Sequence, residues 1–284
     1  MSREPMSRVR KIYFARLVGR CVVLLIAIAM WIFRRESFDV LNGMNFFRGF
    51  SIFHLLWILW LVDMFCQLVP VKGYISLGSH KHFLARFKPI AEKINKETIK
   101  KHVRSTTKAA YRVMVIWVAF IAVLGLLYFL GVLGKPELLL VSVAFYVCDL
   151  ICVLIWCPFR LIMGNRCCTT CRIFNWDHLM MFSPIIFVGG FYALSLFALS
   201  LVVFVIWELC VILYPERFWE QTNEALRCAN CTDKLCTQYC RKLKRAEENK
   251  RNPCTFRVQG FLRIRVPRCR DGDNPARSAY HHRC

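Results

Sequence analysis

Apolar residues come in long blocks along this chain, separated by basic segments. A membrane helix needs about 20 mostly apolar residues to cross a hydrocarbon core of roughly 30 Å. Blocks at 14–33, 50–71, 113–133 and 138–159 meet that length. The first is uninterrupted only from Cys21, the second carries Asp63 and the fourth carries Asp149. A fifth block, 179–214, is apolar apart from Glu208. As one helix it would measure about 54 Å, too long for one crossing. Two full spans would need about 40 residues, slightly more than it has. Pro184, Gly189 and Gly190 offer places to bend it, so length leaves both a tight hairpin and one long kinked helix open. The pattern predicts an all-α integral membrane protein of five or six transmembrane helices with a Cys-rich, basic C-terminal tail. It divides into a transmembrane helical domain over 1–215, a Cys-rich helical or knuckle segment over 216–250, and a basic, partly disordered tail over 251–284.

Composition agrees with this division. The 284 residues are 57% apolar and 14% aromatic, against ~45–50% apolar in a soluble domain. A soluble enzyme of this make-up would expose large sticky patches, and the apolar content excludes disorder of the main body. The formal charge is +22, so the charges belong in loops and tails. A basic start before an apolar run resembles a signal peptide, but Arg34 and Arg35 follow it where a small-residue cleavage site is needed. A retained anchor is the expectation.

Lys and Arg accumulate on the cytoplasmic side of membrane proteins. Arg3, Arg8, Arg10, Lys11 and Arg16 precede the first block, and 72–112 carries eleven Lys or Arg against Glu92 and Glu97. Both segments fall on one side if two spans separate them, which predicts a multipass protein of the cell membrane with a cytoplasmic N-terminus. Near the last block Arg217, Arg227 and Lys234 are offset by Glu216, Glu220, Glu224 and Asp233, so charge places the tail only weakly.

The 16 cysteines are distributed unevenly. Neither expected outside loop, 34–49 or 134–137, has one. A secreted disulfide scaffold would place them outside, whereas cytosolic thiols stay reduced and suit metal or redox chemistry. The tail reads Cys228-x2-Cys231-x4-Cys236-x3-Cys240. A helical turn would put Cys236 and Cys240 on one face, and four thiolates can hold tetrahedral zinc. A cubane iron–sulfur cluster is the rival, although its usual run is C-x2-C-x2-C-x3-C followed by Pro, and Arg241 stands here. A plain helix over 216–250 whose thiols bind nothing is the structural alternative. If this tail shares the compartment of the inner loop, the last block crosses twice, which favours six spans.

Cys157, Cys167, Cys168 and Cys171 form a possible second thiol site, with Asp177 and His178 close behind. The bland alternative is an interfacial loop with free thiols and a half-wet Trp176. Inside the spans, Asp63 and Asp149 are the intramembrane polar candidates. A mid-bilayer charge costs about 2.5–3.5 kcal/mol on insertion scales and normally faces a partner or water. His54 and Gln67 flank Asp63, and Cys148 and Cys152 flank Asp149. These groups suit a proton or metal path, or else helix-to-helix hydrogen bonds. Glu208, near its block's end, reads as an anchor.

No phosphate-binding loop, dinucleotide fingerprint, zinc-protease helix or nucleophile elbow occurs, and no catalytic residue is assigned. The basic 72–112 segment suits anionic lipids on the leaflet surface. Nucleic acid is not favoured, because no aromatic residues interleave with those charges. Residues 256–266 alternate in part and predict a short strand or hairpin.

The run Arg-Cys-Cys-Thr-Thr-Cys-Arg-Ile-Phe-Asn-Trp-Asp at 166–177, within 157–240, resembles uncharacterised bacterial polytopic membrane proteins with a Cys-rich loop and tail. That resemblance covers under a third of the chain; it implies a membrane location and no catalytic activity. The tail spacing also resembles the zinc knuckle C-x2-C-x4-H-x4-C, with Cys236 in place of His and a shorter last gap; the likeness is in spacing only. The leading expectation is a multipass scaffold or sensor whose cytosolic tail binds zinc and meets an unknown protein partner. A membrane iron–sulfur electron-transfer protein and an ion or metal transporter using Asp63 and Asp149 are the alternatives.

Overall fold

The computed structural model describes residues 7–69, 82–90, 94–164, 171–227 and Leu235. Seven α-helices are described: α1 (Arg8–Phe33), α2 (Ile52–Leu68), α3 (Lys96–Phe129), α4 (Lys135–Leu154), α5 (Phe159–Met163), α6 (Asp177–Phe182) and α7 (Gly190–Leu213). Among the described residues there is no strand, only an isolated bridge between Pro89 and Asn223. Helices α1, α3, α4 and α7 are long and apolar enough to cross a membrane. The second block yields only the 17 residues of α2, shorter than a full span, while α3 starts in the basic segment and runs for 34 residues.

Local chemistry sets the helix starts. Ser7 Oγ accepts from Arg10 N at 3.2 Å at the start of α1. At α2, Ser51 Oγ accepts from Phe53 N and His54 Nδ1 accepts from Ser51 N at 2.9 Å, a reciprocal cap. With Nδ1 accepting, His54 donates through Nε2 to the Phe46 carbonyl at 2.8 Å. Both ring nitrogens are therefore used in capping, at the opposite end of α2 from Asp63. Asn95 caps α3. Pro136 occupies the first turn of α4, whose Glu137 Oε2 accepts from Gly134 N at 2.9 Å.

The fifth apolar block is a hairpin rather than one helix. After α6, Ser183–Val188 continues as a 3-10 helix, and the chain reverses at Gly189 and Gly190, with φ of +67° and +74°. A Cβ on Gly190 would lie 2.8 Å from the Leu41 carbonyl oxygen and 3.0 Å from Gly43 N. The positive φ and the close approach both require glycine here. Phe191 N then donates to the Gly43 carbonyl at 3.1 Å, tying the turn to the loop after α1.

Leaving aside the short α5, the long helices and the α6 limb run alternately between two ends of the bundle. One end of the bundle gathers the α1–α2 loop, the α3–α4 turn and the Gly189–Gly190 reversal. There Lys135 Nζ donates to Asn42 Oδ1 at 2.8 Å and Trp31 Nε1 to Glu137 Oε1 at 2.6 Å. The other end, called the basic face below, gathers the start of α1, residues 82–90, the start of α3 and residues 215–227. Phe38, Phe53, Trp60, Leu138, Phe182, Ile185 and Tyr192 are buried in the main core, which α1, α2, α3, α4 and α7 share. Apolar side chains such as Leu25, Val115, Leu126 and Ile212 remain exposed around the outside.

Candidate functional site

Arg20 lies midway along α1 and is 8% exposed. Its Nη1 donates to Asp149 Oδ2 at 2.7 Å and to the Tyr146 carbonyl at 2.7 Å. Its Nη2 donates to Asp63 Oδ2 at 3.2 Å. The guanidinium also sits over the Tyr146 ring, 3.7 Å from its centre. One planar fork therefore joins α1, α2 and α4, a task suited to arginine because its donors diverge at fixed angles.

The network continues into α6. His178 Nε2 stands 3.9 Å from Asp63 Oδ2, within ion-pair reach and beyond a hydrogen bond. His178 Nδ1 is 2.9 Å from Asp177 Oδ1, which also accepts from Gln67 Nε2 at 3.1 Å. Gln67 further approaches the Phe174 carbonyl at 3.4 Å. Three carboxylates thus surround one guanidinium and one imidazole, all in the half of the bundle nearer the basic face. The sequence brings Asp63, Asp149 and Gln67 to this site as expected candidates. His54 is elsewhere, Arg20 has no role in the sequence reading, and Asp177 and His178, read there as companions of the Cys157–Cys171 thiols, join this cluster.

A second cluster corrects two expectations. Glu208 is not an anchor at a membrane surface: its carboxylate binds Arg172 through both Nε and Nη2 and accepts from Trp176 Nε1 at 2.7 Å. Arg172 Nη1 donates to Thr107 Oγ1. The side chains of Arg172 and Glu208 are 8% and 13% exposed. Trp176 is completely buried, not half wet: its indole packs between Tyr111 of α3 and Phe204 of α7 and donates to Glu208. Bidentate contact and a third donor compensate the desolvation of both charges.

At the basic face, residues 215–227 form a strap rather than the start of a helix. Pro215–Phe218 and Glu224–Leu226 are single 3-10 turns. Glu224 N donates to the Lys88 carbonyl at 2.8 Å, and Asn223 Nδ2 to the Arg217 carbonyl at 2.9 Å. His82 stacks on Phe218 and His102 on Trp219, each at 4.5 Å. Eight residues past the strap, Leu235 is 3% exposed and packs with Tyr13, Leu17, Leu150 and Phe174. Leu235 lies between Cys231 and Cys236 in the chain.

The thiols are divided. Cys228, Cys231, Cys236, Cys240, Cys167 and Cys168 lie outside the described residues, as does the strand expected at 256–266. Cys171 is buried beside Met163, Ile173 and Trp176. Cys157 follows α4 and hydrogen-bonds the Cys152 thiol. Among the described residues no group of three or more His, Cys, Asp or Glu side chains is placed to hold a metal ion. A cavity of about 50 Å³ opens at the basic face between α3, α5, α7 and the strap, lined in part by His82, His102, Thr106, Arg172 and Asn175. Comparison with known proteins finds no matching family model, no matching curated protein and no matching solved structure.

Proposed function

We propose that this chain is a six-crossing membrane protein whose Cys-rich tail forms a zinc-binding module on the cytoplasmic face and acts as a scaffold or sensor. Phe191 N donates to the Gly43 carbonyl, which puts the Gly189–Gly190 reversal at the end opposite the basic face. That supports a fifth crossing by the α6 limb, although the limb measures only about 21 Å. The exposed apolar side chains of α1, α3 and α7 support burial in lipid. One observation carries the functional reading: Leu235, inside the Cys228–Cys240 motif, is docked between α1 and α4 at the face that bears the basic segments. A metal that reshapes this motif would alter the seating of Leu235 against Leu17 and Leu150, which neighbour Arg20 and Asp149. Such a contact links tail occupancy to the packing of the bundle.

The test is the metal content of the full chain after anaerobic purification. About one zinc per chain is expected, lost when Cys228, Cys231, Cys236 and Cys240 are replaced by Ser. Iron with labile sulfide and a visible charge-transfer band would favour the electron-transfer alternative. Neither metal would end the module reading.

The Arg20 cluster favours a second reading, cation or proton movement through the bundle. Its carboxylates outnumber its cations, leaving a site for one further positive charge. Flux into vesicles, compared between the native chain and Asp63→Asn, tests it; equal flux removes it.

A further inference from the structure

The cavity at the basic face contains an unusual residue. Asn175 is 3% exposed, lines the cavity, and neither its Nδ2 nor its Oδ1 has a hydrogen-bond partner. A buried amide left in this state costs about 1–3 kcal/mol, so an occupant that supplies partners is stabilised there. The rest of the wall selects its chemistry. Arg172 uses three of its five N–H donors on Glu208 and Thr107, leaving two. His102 and His82 add imidazoles held by stacking on Trp219 and Phe218. His82 Nδ1 bonds the Arg217 carbonyl, which fixes that ring's orientation. Among the described residues no carboxylate lines the cavity.

We propose that this cavity binds a phosphate-type oxyanion, either free inorganic phosphate or the phosphate of an anionic lipid headgroup. The unpaired Asn175 amide and the Arg172 guanidinium give the wall N–H donors complementary to phosphate oxygens. Asn175 Nδ2 and the spare Arg172 N–H groups donate to those oxygens, while Asn175 Oδ1 accepts from a P–OH or a bridging water. The volume suits a group of a few heavy atoms and excludes a nucleotide or sugar. Lys101 and Arg104 are exposed on α3 outside the cavity wall, so Lys101 serves as a charge control. Leu161 and Ile212, 78% and 68% exposed on α5 and α7, lie close in sequence to Met163 and Val211 of the cavity wall. This site is independent of the tail cysteines.

The experiment uses the full chain in nanodiscs of neutral phosphatidylcholine. Inorganic phosphate is titrated in one arm, and phosphatidic acid is added to the disc in the other. Binding is read by calorimetry and native mass spectrometry for the native chain, Asn175→Leu, His102→Phe and the exterior control Lys101→Gln. His102→Phe keeps a ring against Trp219, and melting curves verify that each variant is folded. The expected result is saturable binding of one oxyanion per chain, weakened at least about tenfold by either cavity variant and much less by Lys101→Gln. Binding of phosphate itself identifies the free anion as ligand, and binding of the lipid alone identifies the headgroup. Absence of binding in both arms, or binding that both cavity variants leave unchanged, overturns the proposal and assigns the cavity to water.

Discussion

The Arg20 guanidinium on α1 and the Asp149 carboxylate on α4 meet at 2.7 Å inside the bundle. Both side chains are at most 10% exposed, so neither charge is solvated by water. Their pairing, with Asp63 on the opposite prong of the fork, fixes the rotation of three helices relative to one another. Removing one member of such a set strands the others. Arg20→Leu is expected to cost about 3–5 kcal/mol, measured by denaturant unfolding in detergent. Replacing Asp63 and Asp149 by Leu as well should recover most of that loss. Native-like stability of the single variant would contradict this account of the cluster.

The Arg172–Glu208–Trp176 cluster should respond in a graded order. Trp176→Phe removes one donor and leaves Glu208 still paired with Arg172, for a loss of about 1–2 kcal/mol. Glu208→Ala leaves the Arg172 charge without its carboxylate and should cost more, about 3–5 kcal/mol. Unfolding midpoints of the two variants check the order. A larger loss for Trp176→Phe would mean that packing against Phe204 outweighs the charge.

Gly190 and Gly19 make an internal comparison. Gly190→Ala combines a positive φ with a Cβ 2.8 Å from a backbone oxygen, and should lower stability by more than about 1 kcal/mol. Gly19 lies in α1 with nothing within 4 Å of a built Cβ, so Gly19→Ala should cause no loss. Thermal melts of the pair test the hairpin reversal directly.

Leu235 should hold the tail. Leu235→Asp places a charge among Tyr13, Leu17 and Leu150 and should release the segment beyond the strap. Limited proteolysis is expected to cut between Arg227 and Cys240 faster than in the native chain, with the bundle fragment otherwise intact. An unchanged cleavage rate would show that this leucine does not anchor the tail.

Much of the bundle is legible in the apolar blocks, because a helix in lipid has to satisfy its own backbone. Asp63 and Asp149 stand out because each interrupts such a block. Arg20 does not: the uninterrupted run starts at Cys21, so Arg20 resembles a flank reaching for headgroups. Only the continuation of α1 back to Arg8 places it inside. His178 and Asp177 look like loop ligands because α6 is too short to show periodicity. Arg172 and Glu208 are 36 positions apart in sequence, and no local pattern reports a pairing of that separation. Pro184, Gly189 and Gly190 mark where the last block breaks; length could not choose a hairpin, because the limb before the reversal is only α6 and a 3-10 helix, shorter than a full span.

The central claim is that the Cys228–Cys240 thiols lie on the interior face and clasp a metal there. The most direct measurement is the labelling of that stretch by a membrane-impermeant maleimide, mapped by peptide mass spectrometry. In intact cells no label is expected. After permeabilisation labelling should be slow, then fast once a zinc chelator is added. Label on those cysteines in intact cells, or one rate with and without chelator, would contradict the claim.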